Sequence, residues 1–313
     1  NLLVTNNKIV LVSVINDLVS DNRVYKTCQT LRENGYQVRL IGSKYANSPP
    51  LPIWPFAATR LRLLFNKGPL FYLFFNLRLF FQLLFRKTHL LYSNDLDTLL
   101  PNYVVSRLKR VPLIYDSHEL FCEVPELLQT PVKRKIWLWL ESTLVPRLEH
   151  CITVNESIAA IFNRNYLVPF HVVRNIPDSP PAFVPKTRTQ LGLPENKKIL
   201  LLQGAGINID RGAEELVEAM LYVEQALLLI IGSGDVWQVL EKRIAELQLE
   251  HKVRLIRRIP KAELLHYTHN ADLGLSIDKN TNLNYYYSLP NKVFDYIHAG
   301  LPILASRLPE IEK

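Results

Sequence analysis

The segment Lys198-Ile-Leu-Leu-Leu-Gln-Gly-Ala-Gly-Ile-Asn-Ile-Asp-Arg-Gly212 decides the fold of the second half of this chain. Its apolar run predicts a strand over Lys198–Leu202, glycines follow at 204 and 206, and Ala213–Met220 has the pattern of a helix. A strand, a glycine turn and a helix in this order begin a βαβ unit. The glycines let a ligand approach the backbone, the helix start offers free N–H groups to an anion, and Arg211 adds a fixed positive charge. A plain glycine turn with a solvated arginine is the alternative, because short Gly-x-Gly patterns are common.

Short apolar runs alternate with longer amphipathic stretches along the whole chain. Further strands are predicted at Ile9–Ile15, Gln37–Gly42, Leu90–Tyr92, Leu113–Tyr115, Cys151–Val154, Leu227–Ile231, Val253–Ile256, Leu273–Ile277 and Pro302–Ala305. Further helices are predicted at Asn22–Asn34, Pro69–Lys87, Thr98–Lys109, Lys133–Val145, Ser157–Asn163, Trp237–Gln248, Lys261–His269 and Lys292–Ala299. This alternation implies right-handed βαβ units and mostly parallel sheets.

A proline-rich stretch interrupts the alternation. Residues 176–185 contain four prolines and no periodicity, which is typical of a semi-rigid linker. We therefore predict two Rossmann-like α/β domains with parallel sheets, residues 1–178 and residues 179–313. Two such domains in tandem usually face a cleft, with the ligand at the carboxyl ends of the strands.

The net charge of +8 is unevenly distributed. Residues 1–175 carry 21 Lys and Arg against 12 Asp and Glu, whereas residues 176–313 carry 16 against 17. The first domain is therefore expected to have an anionic partner. The sequence shows no helix-turn-helix, zinc or RNP-type motif, so nucleic acid is disfavoured and a membrane surface or a phosphorylated ligand fits better.

The cysteines and the N-terminal residues indicate the compartment. Cys28, Cys122 and Cys151 form no Cys-x-x-Cys pair, which favours a reducing compartment over a disulfide framework or a zinc finger. Residues 1–20 have neither the basic region nor the cleavage site of a signal peptide. We expect a cytoplasmic protein.

A second motif, Tyr287-Ser-Leu-Pro-Asn-Lys-Val-Phe-Asp-Tyr-Ile-His-Ala-Gly-Leu-Pro302, is the sharpest chemical signal in the chain. Pro290 suits the first turn of a helix, and Ser288 is a candidate cap. Lys292 and Asp295 are three apart and so share a helix face, where the lysine can meet phosphates and the carboxylate can accept hydrogen bonds from ribose hydroxyls. The alternative is an ordinary surface ion pair.

This second motif resembles the donor-site motif of family 4 retaining glycosyltransferases, which have the GT-B fold. The resemblance extends over nearly the whole chain. Ser20-Asp-Asn-Arg-Val24 resembles the first βα unit of the family, Asp116-Ser-His-Glu119 its strand-end histidine motif, Val172-Val-Arg-Asn175 the end of its acceptor domain, and Gly204…Arg211-Gly212 the start of its nucleotide domain.

The resemblance implies a role for each matching residue. Arg211 and Lys292 would hold the donor diphosphate, Asp295 the ribose, and His118 the transferred sugar, and backbone at Arg258 and Ile259 would contact the base. The predicted catalytic residues are thus His118, Arg211 and Lys292. The predicted donor site comprises Gly204, Gly206, Arg211, Arg258, Ile259, Ser288, Asn291, Lys292 and Asp295. The acceptor-side candidates are Arg23, Asp116 and His118.

The chain departs from the family pattern at three places. Where members often carry the first of two acidic residues eight apart, this sequence has Tyr287, and backbone at Ser288–Asn291 is expected to substitute. The first basic residue of the glycine loop is replaced by Ala205 or Gly206, which leaves Arg211 as the loop's basic residue. The chain stops at Lys313, where relatives continue with closing helices, so a C-terminal truncation is expected.

Asp95-Leu-Asp97 has the spacing of a metal-binding pair, but it follows a predicted strand and opens a predicted helix. Capping of that helix by Asn94 or Asp95 is the simpler interpretation. His266 and His269 have no third ligand nearby in the sequence. We therefore predict no metal and no cofactor, the nucleotide sugar being a substrate.

The sequence favours a glycosyltransferase of class EC 2.4 that moves a hexose from a nucleoside-diphosphate donor to a glycan or lipid-linked acceptor. Retention of configuration and metal independence are implied by the resemblance. A nucleotide-sugar epimerase of the same fold is one alternative. A two-domain ligand-binding protein without turnover is another.

The predicted helix Pro69–Lys87 carries a narrow polar stripe, Arg78, Gln82 and Arg86, beside a wide apolar face. Because the stripe interrupts the apolar run, a transmembrane span is disfavoured. Burial against the first domain's sheet is one interpretation. The other is that part of this face, with Arg60, Arg62 and Lys67 upstream, rests on an anionic membrane at the cytoplasmic side, near a lipid-linked acceptor.

Overall fold

The computed structural model describes residues 8–19, 21–65 and 67–313. Residues 1–7, which belong to the N-terminal segment without signal-peptide features, and Ser20 of the first βα motif lie outside the described residues. The chain divides into two compact units, Asn1–Arg174 and Asn175–Lys313. This division falls slightly before the boundary predicted after residue 178.

The first unit is built on a fully parallel sheet with the strand order β3-β2-β1-β4-β5-β6-β7. The described strands are β1 (Ile9–Ser13), β2 (Gln37–Lys44), β3 (Ala57–Arg62), β4 (Leu90–Asn94), β5 (Leu113–Ser117), β6 (His150–Thr153) and β7 (Phe170–Val172). Its helices are α1 (Asn22–Glu33), α2 (Gly68–Phe85), α3 (Leu96–Lys109), α4 (Pro125–Leu128), α5 (Pro131–Leu144) and α6 (Glu156–Tyr166).

The second unit is built on a second fully parallel sheet, with the order β10-β9-β8-β11-β12. Its described strands are β8 (Lys198–Gly204), β9 (Ala226–Gly232), β10 (Val253–Arg257), β11 (Leu273–Ser276) and β12 (Ile303–Ala305). Its helices are α7 (Ala213–Ala219), α8 (Trp237–Glu246), α9 (Lys261–Asn270), α10 (Leu283–Tyr286), α11 (Asn291–His298) and α12 (Pro309–Glu312).

Local signals explain where these elements begin and end. The Asp21 side chain accepts a hydrogen bond from the Val24 amide at 3.0 Å and so caps α1. The helix ends before Gly35, whose φ of 84° needs no Cβ penalty. In the second sheet, every residue of β9 is buried, as expected for a central strand covered on both faces.

Helix α2 is the one helix among the described residues that is long and apolar enough, by length and composition alone, to cross a membrane. It is only partly covered in this fold. Phe71, Phe75, Leu79 and Leu83 are buried, and Asn76 donates to the backbone oxygen of Asp97 in α3 at 3.0 Å. The predicted burial against the first domain therefore holds for one stripe of the helix, and the remaining apolar residues are exposed.

Candidate active site

A cavity lies at the carboxyl end of β8, where the strand order of the second sheet reverses between β8 and β11. Ligands of open α/β sheets bind at such a switch point. The cavity has a volume of about 240 Å³. Its lining contains the predicted donor residues Gly204, Gly206, Arg211, Asn291 and Lys292, together with Leu202, Gln203, Ala205, Ile207 and Pro290. The two sequence motifs thus meet at one site, although about 80 residues separate them in the chain.

Two glycines allow the loop between β8 and α7 to pack closely on its neighbours. Gly212 has a φ of 81°, and a Cβ built there would lie 2.5 Å from the carbonyl oxygen of Ile277. A Cβ at Gly234, in the next βα loop, would lie 1.8 Å from the carbonyl oxygen of Ile207. A side chain at either position would push this loop away, so these glycines place Arg211 beside the residues that follow β11.

The positive charges of the cavity are held by a carboxylate that the sequence reasoning missed. Asp278, two residues after β11, is fully buried, and its Oδ1 accepts a hydrogen bond from Arg211 Nη1 at 3.0 Å. Lys292 Nζ lies 3.5 Å from Oδ2 of the same carboxylate. The Arg211 guanidinium also lies over the ring of Tyr285, 3.8 Å from its centroid. Arg211 and Lys292 therefore form one cationic site around Asp278.

Burial lowers the pKa of Lys292 and is the largest influence on it. The charge of Asp278 opposes that fall, and the charge of Arg211 adds to it. The Arg211 Nε atom is buried and has no hydrogen-bond partner among the described residues. Two closely spaced cations with spare donor capacity suit a diphosphate, which offers several acceptor oxygens.

Asp295 does not pair with Lys292, although both lie on α11. Its Oδ2 accepts from Gln203 Nε2 at 3.2 Å, and its Oδ1 lies 3.7 Å from Lys261 Nζ. It lines a neighbouring cavity of about 40 Å³, and burial raises its pKa. Because Gln203 lines the larger cavity, Asp295 stands beside the cation site and not in it, and the surface ion pair with Lys292 considered from the sequence does not form.

The remaining predicted donor residues do not line the larger cavity. The Ser288 hydroxyl donates to the backbone oxygen of Tyr285 at 2.9 Å, so the prediction that Ser288 caps α11 is wrong. Pro290 occupies the cap position of that helix. Arg258 and Ile259 follow β10 and do not line the larger cavity. Ile259 packs against the core of the second unit, which leaves its backbone as the part available to a base.

His118 belongs to a dense polar cluster at the end of β5 in the first unit. Arg23 Nη2 and Nε donate to the Asp116 carboxylate at 2.6 and 3.2 Å, and Arg23 Nη1 donates to the Val173 carbonyl at 2.7 Å. The His118 Nε2 atom lies 3.6 Å from Asp116 Oδ2, and Nδ1 lies 3.3 Å from Asp95 Oδ2. Arg23 is 7% exposed and Asp116 1%. These two acceptor-side candidates are therefore committed to each other and orient His118, which is more exposed than either of them, at 18%.

The charges in this cluster keep His118 protonated. Burial alone would lower the pKa of His118, but the charge of Asp95 and the hydrogen bond with Asp116 raise it to about 9. Burial alone would raise the pKa of Asp116, but His118 and Arg23 lower it to about 2. At neutral pH a protonated His118 donates hydrogen bonds from both ring nitrogens and does not act as a base.

Asp95 occupies the N-cap position of α3, as predicted, but its side chain does not cap the helix. Asp95 has a positive φ of 59° and makes no side-chain cap bond. Its carboxylate accepts instead from the backbone amide of His118 at 2.8 Å. The Asn94 side chain donates to the Ser13 carbonyl and faces His118 Nε2. Among the described residues, no group of three His, Cys, Asp or Glu side chains is arranged to hold a metal ion.

Two family matches agree with this arrangement and define the class of the protein. Residues 21–178 match glycosyltransferase family 4, and residues 183–311 match the glycosyl transferases group 1 family. The chain therefore belongs to glycosyltransferase family 4 and is a glycosyltransferase, as the motifs predicted.

Solved structures confirm the predicted GT-B fold. Sucrose-phosphate synthase from Thermosynechococcus elongatus aligns with a TM-score of 0.74 at 18% identity, over 98% of this chain and 83% of that one. HepE from Anabaena, in complex with UDP and glucose, aligns with a TM-score of 0.71 at 14% identity, over 98% and 82%. The lipopolysaccharide outer core galactosyltransferase WaaB aligns with a TM-score of 0.63 at 10% identity, over 97% and 82%. No curated protein sequence matches the chain.

Proposed function

We propose that this glycosyltransferase moves a hexose from a nucleoside-diphosphate sugar to a glycan or lipid-linked acceptor, with retention of configuration and without a metal ion. One observation carries the proposal. The cavity at the switch point of the second sheet is lined by Arg211 and Lys292, whose charged atoms lie 3.0 and 3.5 Å from the same buried carboxylate. A site of this kind binds a diphosphate through charge-assisted hydrogen bonds.

The same two cations supply the main requirement of the reaction. The bond between the anomeric carbon and the β-phosphate oxygen breaks, and the leaving diphosphate gains negative charge. Arg211 and Lys292 stabilise that charge as it develops, in the position where a metal would otherwise be needed. The acceptor hydroxyl oxygen bonds to the anomeric carbon from the same face, and its proton passes to the leaving phosphate. His118, protonated and held between two carboxylates, contributes its positive charge beside the transferred sugar.

A donor screen tests the proposal. UDP is the first nucleotide to test because the HepE structure was solved with UDP, and GDP and ADP are tested beside it. A diphosphate present at 100 times its dissociation constant is expected to stabilise the protein by about 2.7 kcal/mol. The matching nucleotide sugar is then incubated with and without acceptors, in EDTA. Transfer that requires an acceptor supports the proposal, and conversion of the donor alone identifies an epimerase. Activity lost in EDTA and restored by manganese refutes metal independence.

The uncovered face of α2 favours an acceptor presented at a membrane. Its exposed residues recur every three or four positions, so they share one helix face. They are Leu70, Leu73, Leu77, Phe81 and Phe85, each between 46% and 79% exposed. Lys67 and Lys87 are exposed at the two ends of α2, and Arg62 is exposed on the strand that precedes it. An apolar stripe flanked by cations matches an anionic lipid surface at the cytoplasmic side of a membrane.

Helix α5 carries a second exposed apolar stripe. Val132, Ile136 and Trp139 are 74%, 61% and 65% exposed and recur at helical spacing. Trp137 of α5 contacts Tyr72 of α2, with ring centroids 5.2 Å apart, so the two helices are neighbours. Exposed apolar patches of this extent usually mark an interaction site.

Vesicle co-sedimentation tests the membrane proposal. Wild-type protein is expected to bind anionic vesicles at low salt, to bind neutral vesicles weakly, and to dissociate as salt rises, because each basic residue near the surface contributes about 1 kcal/mol. The double variant Leu73→Ser/Leu77→Ser is expected to lose binding. Tyr222→Ser, which alters an aromatic residue that is 86% exposed in the second unit, is the matched control. Equal binding of all three proteins would refute the proposal.

A further inference from the structure

Asp278 is a buried carboxylate at the strand-order reversal of the second sheet, and no sequence motif accounts for it. Its exposed fraction is 0%, whereas an isolated carboxylate is rarely taken fully out of water. It is reached only by the two cations of the proposed donor site, Arg211 Nη1 at 3.0 Å and Lys292 Nζ at 3.5 Å, as far as the described residues show. A carboxylate placed in this way interacts with the charges of Arg211 and Lys292 and makes no polar contact with the hydrophobic core of the second unit among the described residues.

The carboxylate makes its two contacts with different strength. Oδ1 accepts the hydrogen bond from Arg211, while Oδ2 accepts none from the described residues and meets Lys292 only as an ion pair. Tyr285 packs its ring on the other side of Arg211, 3.8 Å from the guanidinium carbon. Arg211 is therefore fixed by Asp278 and Tyr285, whereas Lys292 depends on Asp278 for its one opposite charge.

We propose that Asp278 is a positioning residue of the donor site, which holds Arg211 and Lys292 charged and oriented before the diphosphate arrives. This inference rests on the proposed function, because it assigns Asp278 to the same site. Without Asp278, two like charges would be buried together, and the one that can release its proton is Lys292. Arginine stays protonated at all ordinary pH values.

The charged groups that face Lys292 define the expected behaviour. They are Asp278 from the segment after β11 and Arg211 from the loop before α7, and burial adds to the effect of Arg211. If Asp278 is replaced by Asn, burial and Arg211 act on Lys292 unopposed, and its pKa falls further. Lys292 of the unliganded variant then loses its proton at a lower pH than in the wild type, so above that pH diphosphate binding must take up a proton.

The test compares the affinity of wild type and Asp278→Asn for a nucleoside diphosphate at several pH values. The probe is whichever of UDP, GDP and ADP the wild type binds most tightly, measured by calorimetry. The ratio of the two dissociation constants, variant over wild type, is expected to rise about tenfold between pH 6 and pH 9, since one pKa unit changes the protonated fraction tenfold. The titration of the nucleotide itself is common to both proteins and cancels from the ratio.

A double variant separates this effect from simple misfolding of the site. Asp278→Asn combined with Lys292→Arg puts an arginine, which does not lose its proton, in the place of Lys292. The dissociation constant of this double variant, divided by that of the wild type, is therefore expected to be independent of pH. A ratio that is constant with pH for Asp278→Asn itself would mean that Asp278 acts only on structure, and would overturn the inference while leaving the proposed function intact. Failure of the wild type to bind any of the three nucleotides would instead overturn the proposed function.

A measurement on the wild type covers the case in which Asp278→Asn does not fold. The side-chain ammonium of Lys292 is followed by NMR across the same pH range, with Lys292→Arg used to assign its signal. The unliganded wild type is expected to keep Lys292 charged at pH 7.5. A neutral Lys292 at that pH overturns the inference.

Discussion

The two sheets each end in a cluster of charged residues, and the two clusters differ in how completely they are satisfied. In the first unit, Arg23 uses three nitrogens on Asp116 and Val173, and Tyr92 donates to the same carboxylate at 2.9 Å. In the second, Arg211 Nε and Asp278 Oδ2 are buried without hydrogen-bond partners among the described residues, next to an open cavity. Unsatisfied buried polar atoms cost free energy unless a ligand completes them. The first cluster therefore fixes a histidine, whereas the second keeps a free donor at Arg211 Nε that the proposed diphosphate would use.

The largest expected effect comes from removing Arg23 from the fully hydrogen-bonded cluster around Asp116 in the first unit. Arg23→Ala leaves Asp116 buried without its main partner, and loss of one partner of a buried ion pair costs about 3–5 kcal/mol. We expect chemical denaturation of the unliganded protein to show this fall in the free energy of unfolding. Nucleoside diphosphate affinity at a temperature where the variant is folded is expected to stay unchanged. Arg174→Ala removes an exposed ion pair of the same unit and is the matched control. If both variants unfold alike, the cluster does not hold the first unit together.

The second prediction concerns His118, whose ring is held by the cluster around Asp116. His118→Ala is expected to lower kcat on the order of a hundredfold, as for loss of one group that stabilises a developing charge, with little change in nucleoside diphosphate affinity. The two quantities separate a role on the sugar from a role in structure. Kinetics and calorimetry on the same sample measure both. Parallel losses of turnover and nucleotide affinity would mean that His118 acts through folding.

The third prediction concerns the cluster of Arg211, Lys292 and Asp278 in the second unit. Arg211→Ala and Lys292→Ala should each weaken diphosphate binding by about 1.5–3 kcal/mol, the value of a hydrogen bond to a charged group. Because both side chains share Asp278, the double variant should lose less than the sum of the two. Arg307→Ala, which removes an exposed arginine of the same unit, is the control. Wild-type affinity in both single variants would place the donor elsewhere.

The position and length of a strand in its sheet explain whether the sequence predicted that strand. Long apolar runs identified the central strands to within a residue or two, because strands covered on both faces are continuously apolar. The edge strand Ala57–Arg62 was missed, since it carries two arginines and little apolar pattern. The three-residue strand Phe170–Val172 is too short for any period to be read.

The candidate site was predictable only where the chain carries its own motif. The glycine loop and the Pro290-Asn-Lys292 turn were found because glycines, prolines and charges mark them locally. Asp278 was missed because it reaches Arg211 only through the pairing of β8 with β11, which joins Leu200 to Leu273. A carboxylate two residues after a predicted strand was the available signal, but it needs the strand order to be interpreted. Asp295 was grouped with Lys292 because residues three positions apart share a helix face. In the structure Asp295 pairs with Lys261, whereas Lys292 pairs with Asp278.

The smallest effect we predict is the pH dependence of the first cluster. The pKa of His118 is raised from 6.5 to about 9, so its contribution to stability is complete below pH 6.5 and is lost as the pH rises toward 9. Raised pKa values mean that the folded state binds the proton more tightly than the unfolded state. We expect the free energy of unfolding to fall by about 1–3 kcal/mol across this interval. The same loss should be absent in His118→Gln, which keeps a hydrogen-bonding side chain but cannot be charged. A wild-type unfolding free energy that is flat between pH 6.5 and 9 would show that the Asp95 and Asp116 carboxylates do not hold the proton on His118, and the contrast between the two clusters would then rest on hydrogen bonding alone.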